Sequence, residues 1–284
     1  MRKDFWKYIA SLLLFGSNGI VASKIALTSY EIVYLRTMIG SLLLLAIFLL
    51  MKQKWNGKNY KREFGFLILS GAAMGGSWMF LYEAYQQIGV SIASLAYYCG
   101  PVIVMALAPV LFQEKLTKKK CLGFLAVLIG IILINGQAFQ EGKTTWGLFC
   151  GGTSAVMYAV MVISNKKVKH IVGMENSLLQ LIFSFLTVAV FIAFRQGLKV
   201  DIPAGDLAPV LVLGLVNTGI GCYLYFSSIG QLPVQTVAIC GYLEPLSAVV
   251  LSAVLLGESM GPMQIVGAVL ILGGAMFAEL KGKA

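Results

Sequence analysis

The sequence predicts an all-α integral membrane protein of ten transmembrane helices, arranged as two inverted five-helix repeats with both termini in the cytoplasm. Composition, the placement of the basic residues and an internal repeat lead to this fold class. Of the 284 residues, 58% are hydrophobic and only 12% are charged, which is far more apolar than a soluble domain. At about 20 apolar residues per spanning helix, the chain accommodates about ten helices and leaves no room for a soluble domain of appreciable size.

The ten predicted spans follow one another with linkers that are mostly a few residues long. Windows of about 19 residues place the spans at residues 5–26, 29–51, 65–86, 91–112, 121–138, 145–164, 174–194, 207–229, 233–256 and 262–280. The first span begins after a basic segment, as a signal peptide does, but further apolar runs follow it at once. We therefore expect it to be retained as a transmembrane helix.

The basic residues predict the orientation of the chain. With the N-terminus in the cytoplasm, the inner segments carry Arg2, Lys3, Lys7, Lys52, Lys54, Lys58, Lys61, Arg62, Lys115, Lys118, Lys119, Lys120, Lys166, Lys167, Lys169, Lys281 and Lys283. The outer segments carry Lys143, Arg195 and Lys199. Cytoplasmic loops are enriched in Lys and Arg, so this bias places both termini inside. It also accounts for the net charge of +10 without a nucleic-acid partner.

An internal repeat divides the chain into residues 1–140 and 141–284. Tyr98, Pro101, Leu107, Glu114, Gly123 and Gly130 align without a gap with Tyr242, Pro245, Leu251, Glu258, Gly267 and Gly274. Chance matching of apolar sequence would supply the leucines, but not a proline, a glutamate and two glycines in one register. Because each repeat has an odd number of helices, the second enters the membrane in the opposite orientation. This is the plan of secondary transporters, whose substrate site lies near the midplane between the halves.

Short motifs carry a family resemblance across essentially the whole chain. They are FGSNGIVASK in the first span, YLRTMIGSLLLL in the second, GPV and QEKLT around the fourth, YLEPLSAVVLSAVLLGE in the ninth, and the spaced glycines of the fifth and tenth. Together they resemble the drug/metabolite transporter superfamily, specifically its ten-helix EamA-type members. The resemblance implies a metabolite permease, often an exporter of amino acids or related compounds, with a central cavity and with the fifth and tenth spans paired as scaffold. Phe15 departs from it, since family members often carry Trp there.

Two prolines stand near the middle of predicted spans. Pro101 and Pro245 each remove a backbone hydrogen bond, so we expect kinks that free the carbonyls of Tyr97 and Gly241 toward a polar cavity or toward neighbouring helices. Glu244 lies at the same depth as Pro245. A carboxylate there costs at least about 2 to 3 kcal/mol unless it is paired, protonated or hydrated. Glu244 is therefore expected either to meet a substrate or to bond to freed backbone and hydroxyl groups.

Arg36 is the buried charge of the second span. It lies too deep to reach the outer interface easily, and a guanidinium in such a place favours a carboxylate partner. Glu83 is the first choice and Glu31 is the shallower alternative. Lys24 is expected to extend to the interface or to pair with Glu31.

Aromatic and polar stripes supply the other candidates for a substrate-binding surface. The rings of the third span beside Glu83 either hold an organic cation, at about 0.5 to 2 kcal/mol per contact, or belong to the interfacial aromatic belt. The polar stripes of the seventh and eighth spans indicate cavity lining, because a lipid-facing surface would avoid them. The predicted substrate-binding residues are Glu244, Tyr97, Tyr98, Trp78, Tyr82, Glu83, Asn217, Tyr225 and Gln180.

These features predict an inner-membrane permease that moves a small polar metabolite, an amino acid or a similar zwitterion, outward by alternating access. An exporter of organic cations or drugs is the alternative, favoured if the aromatic residues of the third span face the cavity. The single histidine and the few acids argue against a polytopic membrane enzyme. Coupling to protons through Glu244 or Glu83 and facilitated diffusion are both compatible with the sequence. The scattered cysteines show no metal or disulfide spacing and are expected to be packing residues, and we expect no metal or other cofactor. Separately, we expect the protein to function as a monomer in the lipid bilayer.

Overall fold

A computed structural model describes residues 2–55, 57–88, 93, 96–97, 99–115, 117–135, 145–256 and 262–279 of the chain. Every regular element within these ranges is a helix, which confirms the all-α prediction. The α-helices are α1 (Arg2–Gly16), α2 (Asn18–Ala22), α3 (Ser29–Leu50), α4 (Lys61–Ile88), α5 (Cys99–Phe112), α6 (Lys118–Asn135), α7 (Thr145–Lys166), α8 (Gly173–Arg195), α9 (Leu207–Leu211), α10 (Gly221–Ile229), α11 (Val234–Cys240), α12 (Leu243–Leu256) and α13 (Pro262–Glu279). Two 3-10 helices, Gly57–Asn59 and Ala204–Asp206, and a π-helix, Val212–Ile220, complete the described elements.

Six helical stretches within the described ranges are long and apolar enough to cross a membrane. They are Lys3–Ala22, Ser29–Leu50, Lys61–Ile88, Thr145–Lys166, Gly173–Arg195 and Ala204–Ile229, and they coincide with the first three and the sixth to eighth predicted spans. Their outward faces expose large apolar side chains such as Phe194 and Leu50, which are 90% and 82% accessible. Water disfavours such a surface, so these faces contact lipid and the protein is a multi-pass membrane protein.

The other four predicted spans correspond to shorter or divided helices in the described part of the chain. α5 has 14 residues, and α6 and α13 have 18 residues each. The ninth predicted span is divided between α11 and α12. The count of ten spans and the inverted orientation of the two halves therefore stay predictions.

α4 packs closely against both α7 and α8. On the α8 side, a Cβ atom on Gly71 would lie only 2.8 Å from the carbonyl oxygen of Gln180, so glycine permits this approach. On the α7 side, the hydroxyls of Ser77 and Ser154 each donate to the carbonyl of the other residue, at 2.9 and 2.7 Å. Small residues and interhelical hydroxyl bonds hold helices together in lipid, where no hydrophobic effect draws them to each other.

α6 and α13 pack against each other through glycines. A Cβ atom on Gly130 would lie 2.6 Å from the carbonyl oxygen of Gly267, and one on Gly274 would lie 2.6 Å from that of Gly123. The two contacts correspond in the internal repeat, because Gly130 aligns with Gly274 and Gly123 with Gly267. The expected pairing of the fifth and tenth spans is confirmed.

The predicted kink of the ninth span is a break between two helices. α11 ends at Cys240, a short turn follows, and α12 begins at Leu243. The carbonyl of Gly241, expected to be free, accepts the amide of Glu244 at 3.2 Å. The expectation of a free carbonyl is therefore wrong, because the tighter turn satisfies this group before Pro245 interrupts the helical hydrogen bonds. In the first repeat, Pro101 is buried near the described start of α5.

Candidate functional site

A narrow cavity of about 40 Å³ lies inside the bundle. We call it the central cavity. It is lined by Phe15, Asn18, Met74, Trp78, Tyr97, Tyr158, Met161, Cys222, Tyr225, Phe226 and Glu244. Most of this lining is aromatic or apolar, and Glu244 supplies the charge among these residues. A mostly apolar pocket with a few polar groups is the usual form of a small-molecule site.

Glu244 owes its position to the break before α12. It lies in the first turn of α12, and its amide bonds to the carbonyl of Gly241. Within the described part of the chain, no hydrogen bond or ion pair reaches its carboxylate. The carboxylate thus lies on the cavity wall, and no backbone group of the described residues bonds to it.

Aromatic rings from several helices pack around the central cavity. The ring centroids of Tyr97 and Tyr158 are 5.3 Å apart, and those of Phe15 and Tyr225 are 5.8 Å apart. The hydroxyls of Tyr158 and Tyr225 approach to 3.4 Å. The faces of aromatic rings carry negative potential and attract cations. A wall of this kind beside one carboxylate suits a protonated amino group.

Four of the predicted substrate-binding residues, Glu244, Tyr97, Trp78 and Tyr225, line the central cavity. Tyr98 lies outside the described residues. Sequence reasoning missed Tyr158, which stands alone in the apolar run SAVMYAVMVI of α7. Its neighbours give no periodic polar stripe, so the internal position of its hydroxyl had no signal in the sequence.

Arg36 is buried, with 2% of its surface accessible, but its partners are neutral. Its Nε donates to Thr218 Oγ1 at 2.9 Å and its Nη1 donates to the Tyr82 hydroxyl at 3.0 Å. The guanidinium carbon lies 4.3 Å from the centroid of the Trp78 ring. The expected ion pair with Glu83 is therefore wrong. Trp78 and Tyr82 share one face of α4, whereas Glu83 projects about 100° away around the helix.

Glu83 belongs to a separate cluster that joins α3, α4 and α7. Its carboxylate accepts hydrogen bonds from the Tyr30 hydroxyl, from Gln87 at 3.1 Å and from the Trp146 indole at 3.3 Å. The Arg195 guanidinium lies 4.4 Å from the centroid of the Tyr30 ring. The cluster is apart from the lining of the central cavity.

Glu31, the alternative partner for Arg36, is also engaged elsewhere. It forms a capping box with Thr28 at the start of α3, and it accepts a hydrogen bond from Gln196 at 3.0 Å. Lys24 is exposed, and it has no ion pair with Glu31 among the described residues.

Asn217 and Gln180 make contacts between helices. Asn217 Nδ2 donates to Ser17 Oγ at 2.7 Å and to Asn18 Oδ1 at 3.0 Å, which ties the π-helix to the junction of α1 and α2. Gln180 Nε2 donates to Ser70 Oγ at 2.7 Å and so joins α8 to α4. Neither residue is in the lining of the central cavity, and a role for either in substrate binding stays a prediction.

A second, wider cavity opens where α5, α7 and α10 end, and we call it the vestibule. Its volume is about 450 Å³, and its lining includes Glu114, Lys166, Lys169, Asn176 and Phe226. Phe226 lines the central cavity as well, so its ring is shared by the two spaces.

Two charged residues of the vestibule hold the segment between α10 and α11. Lys166 Nζ donates to the carbonyls of Ile229, at 3.0 Å, and of Leu232. Glu114 accepts the amides of Val234 at 2.7 Å and of Gln235 at 3.1 Å. The cation thus meets the carbonyl end of α10 and the anion meets the amide end of α11, as the helix dipoles favour.

Comparison with known proteins gives one family and several relatives. The model of the EamA-like transporter family matches residues 5–136 and 145–279. The uncharacterized transporter YxxF of Bacillus subtilis (strain 168) is 27% identical over 271 residues, covering 94% of this chain and 86% of that protein. The threonine/homoserine exporter RhtA of Escherichia coli (strain K12) is 24% identical over 276 residues, covering 94% and 83%. One crystal structure superposes with a TM-score of 0.82 at 18% identity, covering 98% of each chain, and shows that the fold is shared.

Proposed function

The chain belongs to the EamA-like transporter family, and we propose that it is an inner-membrane permease that exports a small metabolite carrying a protonated amino group. The family and the names of its relatives point to transport and not to an enzymatic role. RhtA is named as an exporter of threonine and homoserine, which supports amino acids as the substrate class.

The observation that carries this proposal is the Glu244 carboxylate in the aromatic wall of the central cavity. A carboxylate inside the bilayer costs at least about 2 to 3 kcal/mol, and a cationic ligand offsets that cost. Rings such as Trp78 and Tyr97 add about 0.5 to 2 kcal/mol for each cation–π contact. The ammonium group of an amino acid provides the charge that such a site attracts.

Alternating access between two inverted halves is the mechanism we propose. The helix contacts support it because they occur in corresponding pairs. The contact of α4 with α7 corresponds, in the internal repeat, to the contact of α10 with α1. The contact of α5 with α7 corresponds to that of α12 with α1. The pairs α3–α8 and α6–α13 each join corresponding elements of the two repeats. A cavity between such halves opens to one side or the other when one half rocks against its counterpart.

An exporter of organic cations is the second candidate, and the position of Trp78 favours it. Trp78 is an aromatic residue of the third span that lines the central cavity. Tyr82, its neighbour on the same face of α4, is instead bonded to Arg36. The wall that suits an ammonium group also suits a quaternary or aromatic cation, so only a direct comparison of substrates separates the two candidates.

Counterflow in proteoliposomes tests the two candidates together. Vesicles containing the purified protein are loaded with one of the twenty protein amino acids at a time, and uptake of the same radiolabelled amino acid is measured. Tetraphenylphosphonium is assayed in parallel as the organic cation, and its uptake into protein-free vesicles is subtracted because this lipophilic cation crosses bilayers unaided. We expect counterflow of at least one amino acid and weaker uptake of tetraphenylphosphonium. Uptake of the organic cation without counterflow of any amino acid would favour the second candidate.

A further inference from the structure

One nitrogen of the Arg36 guanidinium, Nη2, donates no hydrogen bond to the described residues, although it lies inside the membrane-spanning bundle. Two of its nitrogens are bonded, Nε to Thr218 and Nη1 to Tyr82. Nη2 is buried and has no hydrogen-bond partner in the part of the chain that the structure describes. A buried guanidinium that keeps a free N–H group is costly, and a guanidinium presents its donors in a planar fork that matches a carboxylate.

No carboxylate of the described residues bonds to the Arg36 guanidinium. Glu83 and Glu31, the two acids nearest in predicted depth, are bonded to other side chains. Ion pairs within the described residues involve Lys7, His170 and Lys199 as the cations, and not Arg36. A cation held by neutral partners alone leaves most of its desolvation cost uncompensated.

Arg36 lies directly behind the wall of the central cavity. The Trp78 ring lines the cavity and also stacks on the Arg36 guanidinium. Thr218, bonded to Arg36, lies one helical turn before Cys222, which lines the cavity too. The Arg36 cation therefore lies behind the wall that carries the Glu244 carboxylate.

We infer that Arg36 is a specificity-determining residue that binds the carboxylate of the substrate while Glu244 binds its amino group. This inference rests on the proposed function and narrows its substrate class to amino acids with a free carboxylate. Nη2 is buried in this structure, so the inference requires that the cavity wall at Trp78 opens during the transport cycle. Movement of the cavity wall is what an alternating-access cycle requires.

A comparison of acids with their methyl esters tests the inference. Each of the twenty protein amino acids and its methyl ester is added to detergent-purified wild-type protein, and the rise in melting temperature is measured. The ester keeps the amino group and the side chain but removes the negative charge. We expect the wild type to bind at least one acid roughly ten to a hundred times more tightly than its ester, as a charge-assisted hydrogen bond implies.

The matched variants are Arg36→Gln and Lys24→Gln. Glutamine is the residue at the corresponding place in the second repeat, Gln180, where it is fully buried. Arg36→Gln should bind the acid no more tightly than the ester. Lys24→Gln removes an exposed cation and should keep the preference for the acid.

Distinct results separate failure of this inference from failure of the proposed function. Equal binding of acid and ester by the wild type refutes the role of Arg36 while it leaves the amino-group site intact. A preference for the acid that survives in Arg36→Gln refutes it as well. Should that variant fail to fold, the comparison within the wild type still decides. If neither acids nor esters raise the melting temperature, the proposed function fails together with the inference.

Discussion

Glu244 and Glu83 are both acids within predicted spans, but their surroundings differ. The Glu83 carboxylate accepts hydrogen bonds from three side chains, Tyr30, Gln87 and Trp146. The Glu244 carboxylate lines the central cavity and has no such bonds among the described residues. A carboxylate used by three donors stabilises the fold, whereas one that faces a cavity is free to meet a ligand.

Exchanging each acid for its amide separates these two roles. Glu244→Gln should abolish most amino-acid counterflow while the melting temperature stays the same or rises, because the amide has the same shape and no charge in the bilayer. Glu83→Gln should lower the melting temperature, since the amide nitrogen cannot accept the bonds that a carboxylate oxygen accepts. Flux and melting temperature are measured on one preparation. Near-normal counterflow in Glu244→Gln would contradict a substrate-binding role for Glu244.

Individual residues show what depth along a helix predicts and what it omits. The depth of Glu244 in its predicted span indicated that its carboxylate needs a partner, a proton or a hydrated cavity, and the structure places it in the lining of the central cavity. The depth of Arg36 predicted a buried charge, and 2% accessibility confirms it. Its partner was predicted wrongly because Glu83 has suitable depth but the wrong direction around α4. Direction depends on how helices pack, and a single sequence does not contain that information directly.

At the scale of helices, α6 and α13 depend on glycine at their crossing. A Cβ atom on Gly274 would lie 2.6 Å from the backbone oxygen of Gly123, and backbone cannot move aside as a flexible side chain does. The neighbouring Gly273 has open space around its position. The two adjacent glycines of one helix therefore form a matched pair.

Gly274→Ala should separate the helices and cost about 1 to 3 kcal/mol, as overpacking of an interior does. Gly273→Ala should be neutral or stabilising by up to about 1 kcal/mol, because alanine favours a helix over glycine. Melting temperatures of the two variants in the same detergent give the comparison. Equal melting temperatures would show that the close approach of α6 and α13 does not limit stability.

The segment between α10 and α11 is fixed by opposite charges at its two ends. Lys166→Met removes the cation that bonds the carbonyls of Ile229 and Leu232. We expect a loss of about 1.5 to 3 kcal/mol, the usual value for hydrogen bonds to a charged group. Lys169→Met, an exposed cation of the same vestibule, is the control and should change stability little. If both variants melt alike, the bonds of Lys166 contribute no more than a solvated lysine.

The hydropathy pattern did not predict the interruptions within single spans. Hydropathy predicted one eighth span at residues 207–229, and the structure has α9, a π-helix and α10 in that range. The π-helix places Thr218 at Arg36 and Asn217 at the junction of α1 and α2. Average hydropathy is insensitive to one extra residue per turn, so it does not distinguish a π-helix from an α-helix.

For the whole molecule, composition and the repeat predicted more than single residues did. An all-α membrane protein, the pairing of the fifth and tenth spans and the family were all predicted from sequence and are confirmed. These depend on many residues at once, so a wrong assignment at one position does not alter them. The central cavity depends on the mutual rotation of helices, and only four of its predicted binding residues line it.

Orientation in the membrane is the remaining whole-molecule prediction, and two exposed lysines test it. Lys199 lies in a predicted outer segment with 86% of its side chain accessible, and Lys118 lies exposed in a predicted inner segment. In a cysteine-free background, Lys199→Cys should react with a membrane-impermeant maleimide added to intact cells, and Lys118→Cys should react after the cells are opened. Both sites are accessible to water, so a failure to react reports the side of the membrane and not burial. Labelling of Lys118→Cys in intact cells would contradict the orientation that the basic residues predict. The direction of transport would then depend on flux measurements alone.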